Sequence, residues 1–225
     1  LYALKNINFS ISSGNTLGII GKTGSGKSTI LELITRSYDV TSGEIYLDDK
    51  ILSSYDLQSL KSFISYVPQN PFLFSDTIIE NIKFGNYTSS DDEVVKVAKD
   101  SSIHSDISRF KDQYETLLGE RGVNLSGGQI QRITIARALL KRSKILLLDD
   151  CLSSVDAKTE SSILSNIKKG KKEETVIIVS NKISSVMHAD LIIVLDKGII
   201  IEKGTHKQLL SIKGFYEKIA QKQVE

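Results

Sequence analysis

The sequence predicts an α/β fold, with a mainly parallel sheet, helices around it and a helical lobe inserted in mid-chain. Three observations carry this reading. Strand-like apolar runs alternate with helical patterns at both ends, over 15–38 and again from 144 to 204. The first of those strands runs into a glycine-rich turn that opens a helix, "NTLGIIGKTGSGKST" at 15–29. Between the two blocks, residues 71–137 carry short helical patterns with acidic or Ser/Asp starts.

The elements follow in order. Residues 4–11, "LKNINFSI", alternate Ile7, Phe9 and Ile11 with Asn6, Asn8 and Ser10. That predicts a half-buried strand beginning almost at residue 1, and with it a fragment of something longer. The buried strand 15–21 leads to a helix starting near Lys27 and continuing through "STILELITRSY". Short strands are expected around 43–48 and 63–67. In the middle block, "SDTIIENI", "DDEVVKVAKD" and "HSDISRF" read as short helices. Then come a strand at "KILLLDD" (144–150), a helix from Asp156, a strand at "ETVIIVS" (174–180), a short helix, and strands at "DLIIVLD" and "GIIIEKG". The run "KKGKK" at 168–172 reads as a solvated loop. The expected division is one domain over 1–225, with a core of 1–70 and 138–225 and a helical subdomain of 71–137. Ligand belongs at the C-terminal ends of the parallel strands.

Composition excludes several classes. A length of 225 residues suits one sizeable α/β domain, and a net charge of +2 gives no electrostatic case for nucleic acid as the main partner. One cysteine, Cys151, rules out an internal disulfide and suits a reducing compartment. No apolar run approaches the roughly 18 residues of a membrane span, and no signal peptide or internal repeat is visible.

"GKTGSGKST" (21–29) fits G-x-x-x-x-G-K-[ST] in its proper strand–turn–helix setting. Gly21, Lys22, Thr23, Gly24, Ser25 and Gly26 form the loop whose backbone N–H groups can wrap phosphate oxygens, and the helix start adds partial positive charge. Lys27 is placed to reach the β- and γ-phosphates, Ser28 to hold Mg²⁺ and Thr29 to contact the α-phosphate. Asp149, at the end of a hydrophobic strand, is the expected second Mg²⁺ residue. The expected ligands are therefore a nucleoside triphosphate and Mg²⁺.

At "NLSGGQIQR" (124–132) the sequence resembles a narrower family, the ATP-binding cassette (ABC) proteins, whose signature is matched by Leu125-Ser126-Gly127-Gly128-Gln129. Supporting motifs stand in family order: "VPQNPFLFSDTIIENI" at 67–82, "GERGVNLSGGQ" at 119–129, "ILLLDD" at 145–150, "SSVD" at 153–156 and "GTHKQLL" at 204–210. The resemblance covers nearly the whole chain and is to the nucleotide-binding domain of an exporter. It implies the ABC ATPase fold: a RecA-like P-loop NTPase core, an antiparallel β subdomain and an inserted α-helical subdomain. It implies that the nucleotide is ATP and that Gln69 contacts Mg²⁺ and senses nucleotide. Residues 71–82 would receive coupling helices of a transmembrane domain, although Phe72, Leu73 and Phe74 also read as simple core. Ser126, Gly127, Gly128 and Gln129 would bind, in trans, the nucleotide of a second such domain facing this one head to tail. Asp156 would link the two sites; it also reads as the cap of the next helix. Such a domain works at the cytoplasmic face of the cell (inner) membrane.

Two departures fall at the catalytic site. Hydrolysing members carry Glu after the metal-binding Asp; here stands Asp150, one methylene shorter. The family's switch histidine is replaced by Asn181, within Ser180-Asn181-Lys182. Asn donates a hydrogen bond but cannot carry a proton or a charge. The catalytic set is thus Asp150, Gln69, Asn181 and Lys27, with hydrolysis slowed at this chain's own site. A softer departure is Leu117, where exporters often have Glu. Together these describe the degenerate half of a heterodimeric exporter, paired with a non-identical domain bearing Glu and His. The alternative is an ATP-driven dimerisation switch with essentially no turnover of its own. His104, His188 and His206 read as structural or surface residues. The family's adenine-stacking aromatic is expected upstream of residue 1, since Tyr2 stands too close to Lys27.

Overall fold

In the computed structural model, which describes residues 2–119, 125–170 and 173–224, the chain begins its regular structure with β1 (Thr16–Gly21) and α1 (Lys27–Ile34). There follow β2 (Tyr46–Leu47), β3 (Lys50–Ile51), α2 (Leu57–Phe63), β4 (Ile64–Val67), α3 (Ile78–Lys83), α4 (Asp91–Asp100), α5 (His104–Ile107) and α6 (Gly127–Leu140). The last third holds β5 (Ile145–Asp149), α7 (Ala157–Gly170), β6 (Thr175–Ser180), α8 (Ile183–Val186), β7 (Leu191–Asp196), β8 (Ile199–Gly204), α9 (His206–Ile212) and α10 (Phe215–Val224). Two compact units result, one from 1–64, 144–149 and 173–225, the other from 65–143 and 150–172.

The first unit is built on β1. It pairs in parallel with β6 on one side and β7 on the other, β5 pairs in parallel with β6, and β8 closes the β7 side antiparallel. The strand order is β5-β6-β1-β7-β8. Strands covered on both faces read as unbroken aliphatic runs. That is why "LLL" and "VIIV" occur where alternation would mark a half-exposed sheet. Leu17, Ile19, Leu147, Ile177, Val179, Ile193 and Leu195 join Ile30 and Leu31 of α1 in one core. Each such side chain contributes about 1.5–3 kcal/mol on burial.

The second unit is helical. Its centre is α6, buried almost all round, which packs against α3 and α4 through Ile78, Ile82, Val94, Ala98, Ile133 and Ala136. A helix covered on all sides needs no amphipathic stripe. The amphipathic α4 starts at a capping box in which Ser90 and Glu93 satisfy each other's backbone N–H. It also packs on α7, which draws 150–172 into this unit. The turn before α3 is organised by Asn81, only 1% exposed. Its amide donates to the carbonyls of Phe74, Asp76 and Thr77, and its oxygen accepts from Phe74 N and Arg137 Nη2.

Several local expectations change. Residues 4–11 form no strand. Asn6 takes a left-handed φ of 54°, and Lys5 N donates to Gly198 O at 2.8 Å in a single ladder-like bond. Ile7, Phe9 and Ile11 still lie half-buried on the first core, so the alternation reported burial, not pairing. Helix α1 stops at Ile34 because Arg36 turns left-handed (φ 51°), which ends the run before Tyr38. The strand expected at 43–48 shrinks to Tyr46–Leu47, paired with Lys50–Ile51. The helix α2, capped by Asp56 onto Gln58 N and Ser59 N, stands in a stretch for which no helix was foreseen. Lys168, Lys169 and Gly170 end α7 instead of forming a loop, a favourable place for cations at the negative helix end. Lys171 and Lys172, like 120–124 of the signature region, lie outside the described residues.

Asn81→Ala is expected to destabilise the protein by about 3 kcal/mol, since it strands buried backbone groups and one bond of a buried guanidinium. Denaturant unfolding monitored by circular dichroism checks this. A loss below about 1 kcal/mol would contradict the role given to Asn81.

Candidate functional site

The parallel register brings strand ends together. Ile20 pairs with Ser180 and Asp149 with Val179, so the segments after β1, β5 and β6 leave the sheet at one edge. After β1 the chain turns through 22–26. Gly26, the N-cap of α1, has φ 100°, and an added Cβ would lie 2.6 Å from Leu4 Cδ2. A side chain is thus strained by the backbone conformation, and would also displace the Leu4 side chain. The first turn of α1 has neither a side-chain cap nor an acidic residue, so its N–H groups and dipole stay available to an anion. Lys27 is 8% exposed, and its ammonium donates to the carbonyls of Gly21 (2.8 Å) and Lys22 (3.0 Å), folding the loop into a ring. Ser25 Oγ is buried without a hydrogen-bond partner, an orphaned hydroxyl inside that ring.

Ser28 Oγ donates to Asp149 Oδ1 at 3.1 Å, and Asp149 is buried. A hydroxyl beside a carboxylate is a hard oxygen pair of the kind Mg²⁺ uses when phosphates and water complete its shell. Among the described residues, no cluster of three His, Cys, Asp or Glu forms a self-sufficient metal cage. The donor set therefore fits a Mg²⁺ that arrives with a nucleotide. Thr29 lies half-buried on the next position of α1, while Lys22, Thr23 and Gly24 are exposed.

Asp150 differs from its neighbour. It is half-buried, has a left-handed φ of 45°, and its Oδ2 accepts from Gln69 Nε2 at 3.4 Å. Asp and Asn tolerate that conformation better than longer side chains. Gln69 is exposed just after β4. Asn181 is exposed just after β6, and its carbonyl accepts from Gln223 Nε2 at 2.8 Å.

The signature residues open α6 within the second unit. Ser126 caps α6 in a capping box: Gln129 N donates to Ser126 Oγ (3.3 Å) and Ser126 N to Gln129 Oε1 (3.0 Å). Gln129 Nε2 also donates to Asp106, so its side chain is committed to the protein. Ser126, Gly127, Gly128, Arg132, Ser154, Val155 and Asp156 line a cavity of about 430 Å³. A Cβ on Gly128 would lie 2.9 Å from Ser154 O, so glycine lets the helix start approach the 152–156 loop. Asp156 does cap α7, accepting from Thr159 N at 3.0 Å. The Thr159 amide and hydroxyl hold its carboxyl below the usual range.

Within the segment 71–82, the core reading holds for one of the three apolar residues. Leu73 is fully buried, but Phe72 and Phe74 are exposed and meet Phe84 and Tyr87 in a chain of edge and tilted ring contacts. Arg137 lies over Phe74 and Phe84 and donates to Phe72 O and Asn81 O. Burial pushes its guanidinium down to about 10, which leaves it charged at neutral pH. His104 and His206 each share a 2.8 Å hydrogen bond with a tyrosine, Tyr114 and Tyr216; His188 is exposed. Sequence reasoning missed Arg132, Asp106 and Gln131. Arg132 donates to Asp106 Oδ2 at 2.8 Å, and Gln131 Oε1 accepts from Ser154 N at 3.3 Å. Arg132, four residues after Gly128 on one helix face, could have been flagged by spacing.

No helix among the described residues is long and apolar enough to cross a membrane. The "ABC transporter" family model matches residues 4–153. The chain is 47% identical to the Multidrug resistance-like ATP-binding protein MdlA of Escherichia coli (strain K12), over 95% of this chain and 36% of that protein. It is 44% identical to the Probable multidrug resistance ABC transporter ATP-binding/permease protein YheI of Bacillus subtilis (strain 168), over 98% of this chain and 38% of that one. With Heavy metal tolerance factor 1 of Caenorhabditis elegans the identity is 43%, over 100% and 28%. A bacterial Atm1-family ABC exporter with ATP bound superposes with a TM-score of 0.96 at 38% identity, over 99% of this chain and 39% of that one. The chain thus spans about a third of the length of these relatives. With a phosphate loop, a buried Ser–Asp pair and a signature helix in one such chain, it belongs to the ABC transporter family, as an ATP-binding domain of the exporter type.

Proposed function

We propose that this chain is the degenerate ATP-binding half of a membrane exporter. It binds Mg-ATP on its own phosphate loop, turns it over slowly, and lends its signature helix to the nucleotide of a non-identical partner domain carrying Glu and His. The observation that carries this reading is Asp150. Its carboxylate is one methylene, about 1 Å, short of the family's Glu, and it already faces the Gln69 amide. A misplacement of about 1 Å can cost roughly 10²-fold in rate, and general-base help is itself worth about 10²–10⁴-fold.

In this reading, Gly21 to Gly26 and the first turn of α1 wrap the phosphates with backbone N–H groups, Lys27 releases its carbonyl partners to bind β- and γ-oxygens, and Thr29 contacts the α-phosphate. Ser28, Asp149 and Gln69 would hold Mg²⁺, which neutralises phosphate charge when bound. Asn181 donates one hydrogen bond toward the γ-phosphate. Ser126, Gly127 and Gly128 offer a helix N-terminus to the partner's γ-phosphate, Gln129 braces that helix start, and Asp156 carries communication between the two sites. The aromatic face of Phe72, Phe74, Phe84 and Tyr87 extends the 71–82 surface for coupling helices of a transmembrane domain, with the domain at the cytoplasmic face of the inner membrane.

Three outcomes are expected. The chain should bind Mg-ATP with turnover far below about one per second, the low end of ordinary enzymes; phosphate release at that rate, abolished by Lys27→Ala, would contradict a degenerate site. In the assembled transporter, Asp150→Glu should give only a modest gain, because Glu tolerates the left-handed backbone less well than Asp. Asn181→His should be needed as well, so that gains of the two single variants multiply to less than the gain of the double; simple additivity in log rate would count against this. Finally, Ser126→Arg should nearly abolish ATPase and transport while labelled ATP still binds at Lys27, whereas Asp150→Asn should do far less damage. Equal damage from both would mean that this chain's own site is a main engine.

A further inference from the structure

The segment between β6 and α8 carries Asn181, and its conformation is held from the far end of the chain. Gln223 Nε2 donates to Asn181 O at 2.8 Å, and Gln223 Oε1 accepts from Ile183 N at 2.8 Å. A donor faces the carbonyl and an acceptor faces the N–H, so the two partners fix which way the amide points. Helix α8 needs this. Its N-cap is Lys182, which supplies no side-chain cap, and the first N–H groups of a helix have no partner within it. Gln223 therefore supplies, from α10, the cap that Lys182 cannot, and grips the Asn181 carbonyl with the same group. Lys182 N, between them, donates to Ser180 Oγ at 3.0 Å.

The helix that delivers Gln223 is itself anchored. Glu202 on β8 accepts from Phe215 N and from Tyr216 N, the latter at 3.0 Å, and Tyr216 is fully buried with its hydroxyl bonded to His206 Nδ1. At its other end, α10 sets Phe215 beneath Lys22 of the phosphate loop, with Nζ 5.4 Å from the ring centroid. One helix thus touches the segment after β1 and the segment after β6. Gln223 is exposed, so its two bonds, not core packing, are what its side chain contributes.

We propose that Gln223 is a positioning residue for nucleotide recognition: by clamping the 181–183 backbone it sets the Asn181 side chain toward the γ-phosphate, so that α10 tunes discrimination of ATP from ADP. This rests on the reading of Asn181 as a γ-phosphate contact. The test measures Mg-ATP and Mg-ADP affinities of the intact protein with Gln223→Ala, Gln223→Glu and Asn181→Ala, together with hydrogen exchange at the Ile183 amide. Gln223→Ala should lower the ATP-to-ADP affinity ratio by about three- to tenfold, as loss of one hydrogen bond would, leave ADP affinity within about twofold, and speed Ile183 exchange. Gln223→Glu keeps an acceptor for Ile183 but sets a carboxylate against the Asn181 carbonyl, and should lower the ratio as well. Equal losses for ATP and ADP would mean that α10 only supports the fold, and would overturn the inference. So would an unchanged ratio in both Gln223 variants when Asn181→Ala lowers it. An unchanged ratio in Asn181→Ala would overturn the reading of Asn181 itself, and the inference with it.

Discussion

The phosphate loop would have nothing to work with if β5, β6 and β1 did not run parallel in their observed register. Asp149 stands opposite Val179 and Ile20 opposite Ser180, so loop, carboxylate and switch segment all leave the sheet at one edge. A shift of one residue would turn every side chain to the other face of the sheet and carry Asp149 away from Ser28. Because the strands are aliphatic on both faces, it is these strand-end polar residues, more than the buried block of Leu147, Ile177, Val179 and Leu17, that feel the register. The Ser28–Asp149 hydrogen bond then joins the start of α1 to the end of β5 and fixes the two oxygens that a cation would need.

The signature helix obeys a different constraint. Its N-terminal N–H groups can serve an anion only if the helix start is rigid and its own caps do not fill the cavity. The capping box of Ser126 and Gln129 does the first. Asp106 reinforces it by accepting from Gln129 and from Arg132 at once. Burial pushes the Asp106 carboxyl up, but those hydrogen bonds and the charges of Arg132 and Arg109 outweigh it and hold it below the usual range. Gln131 ties the same helix to the 152–156 loop through Ser154 N. The cavity is therefore lined by Arg132 and the 154–156 loop as well as by the signature residues.

Adjacent residues can serve different purposes because the backbone turns between them. Asp149 ends β5 in extended geometry and is buried against Ser28; Asp150 reverses to a left-handed φ of 45° and presents its carboxylate to Gln69. Among residues with a side chain, Asp and Asn are those that such a backbone tolerates best. The aspartate thus suits the local conformation.

The sequence alone determined the strands of the parallel sheet, the glycine-rich turn that opens α1 and the family. Unbroken aliphatic runs, a glycine-rich turn opening a helix and an ordered set of motifs are local patterns, and local patterns are legible in one dimension. It also flagged Asp150 and Asn181 by comparison with the family. Tertiary structure alone decided whether an alternating segment pairs or merely packs, as at residues 4–11, where burial is periodic yet no strand forms. It decided that Leu73 is core while Phe72 and Phe74 face outward around Arg137, since neighbours from α3 and α6 set that division. And it decided that Gln223 meets Asn181 and Ile183 across 42 and 40 residues of sequence. A hydrogen bond between a side chain and a distant backbone leaves no periodicity and no motif, because any segment offers the same N–H and C=O; only the path of the folded chain selects which ones are used.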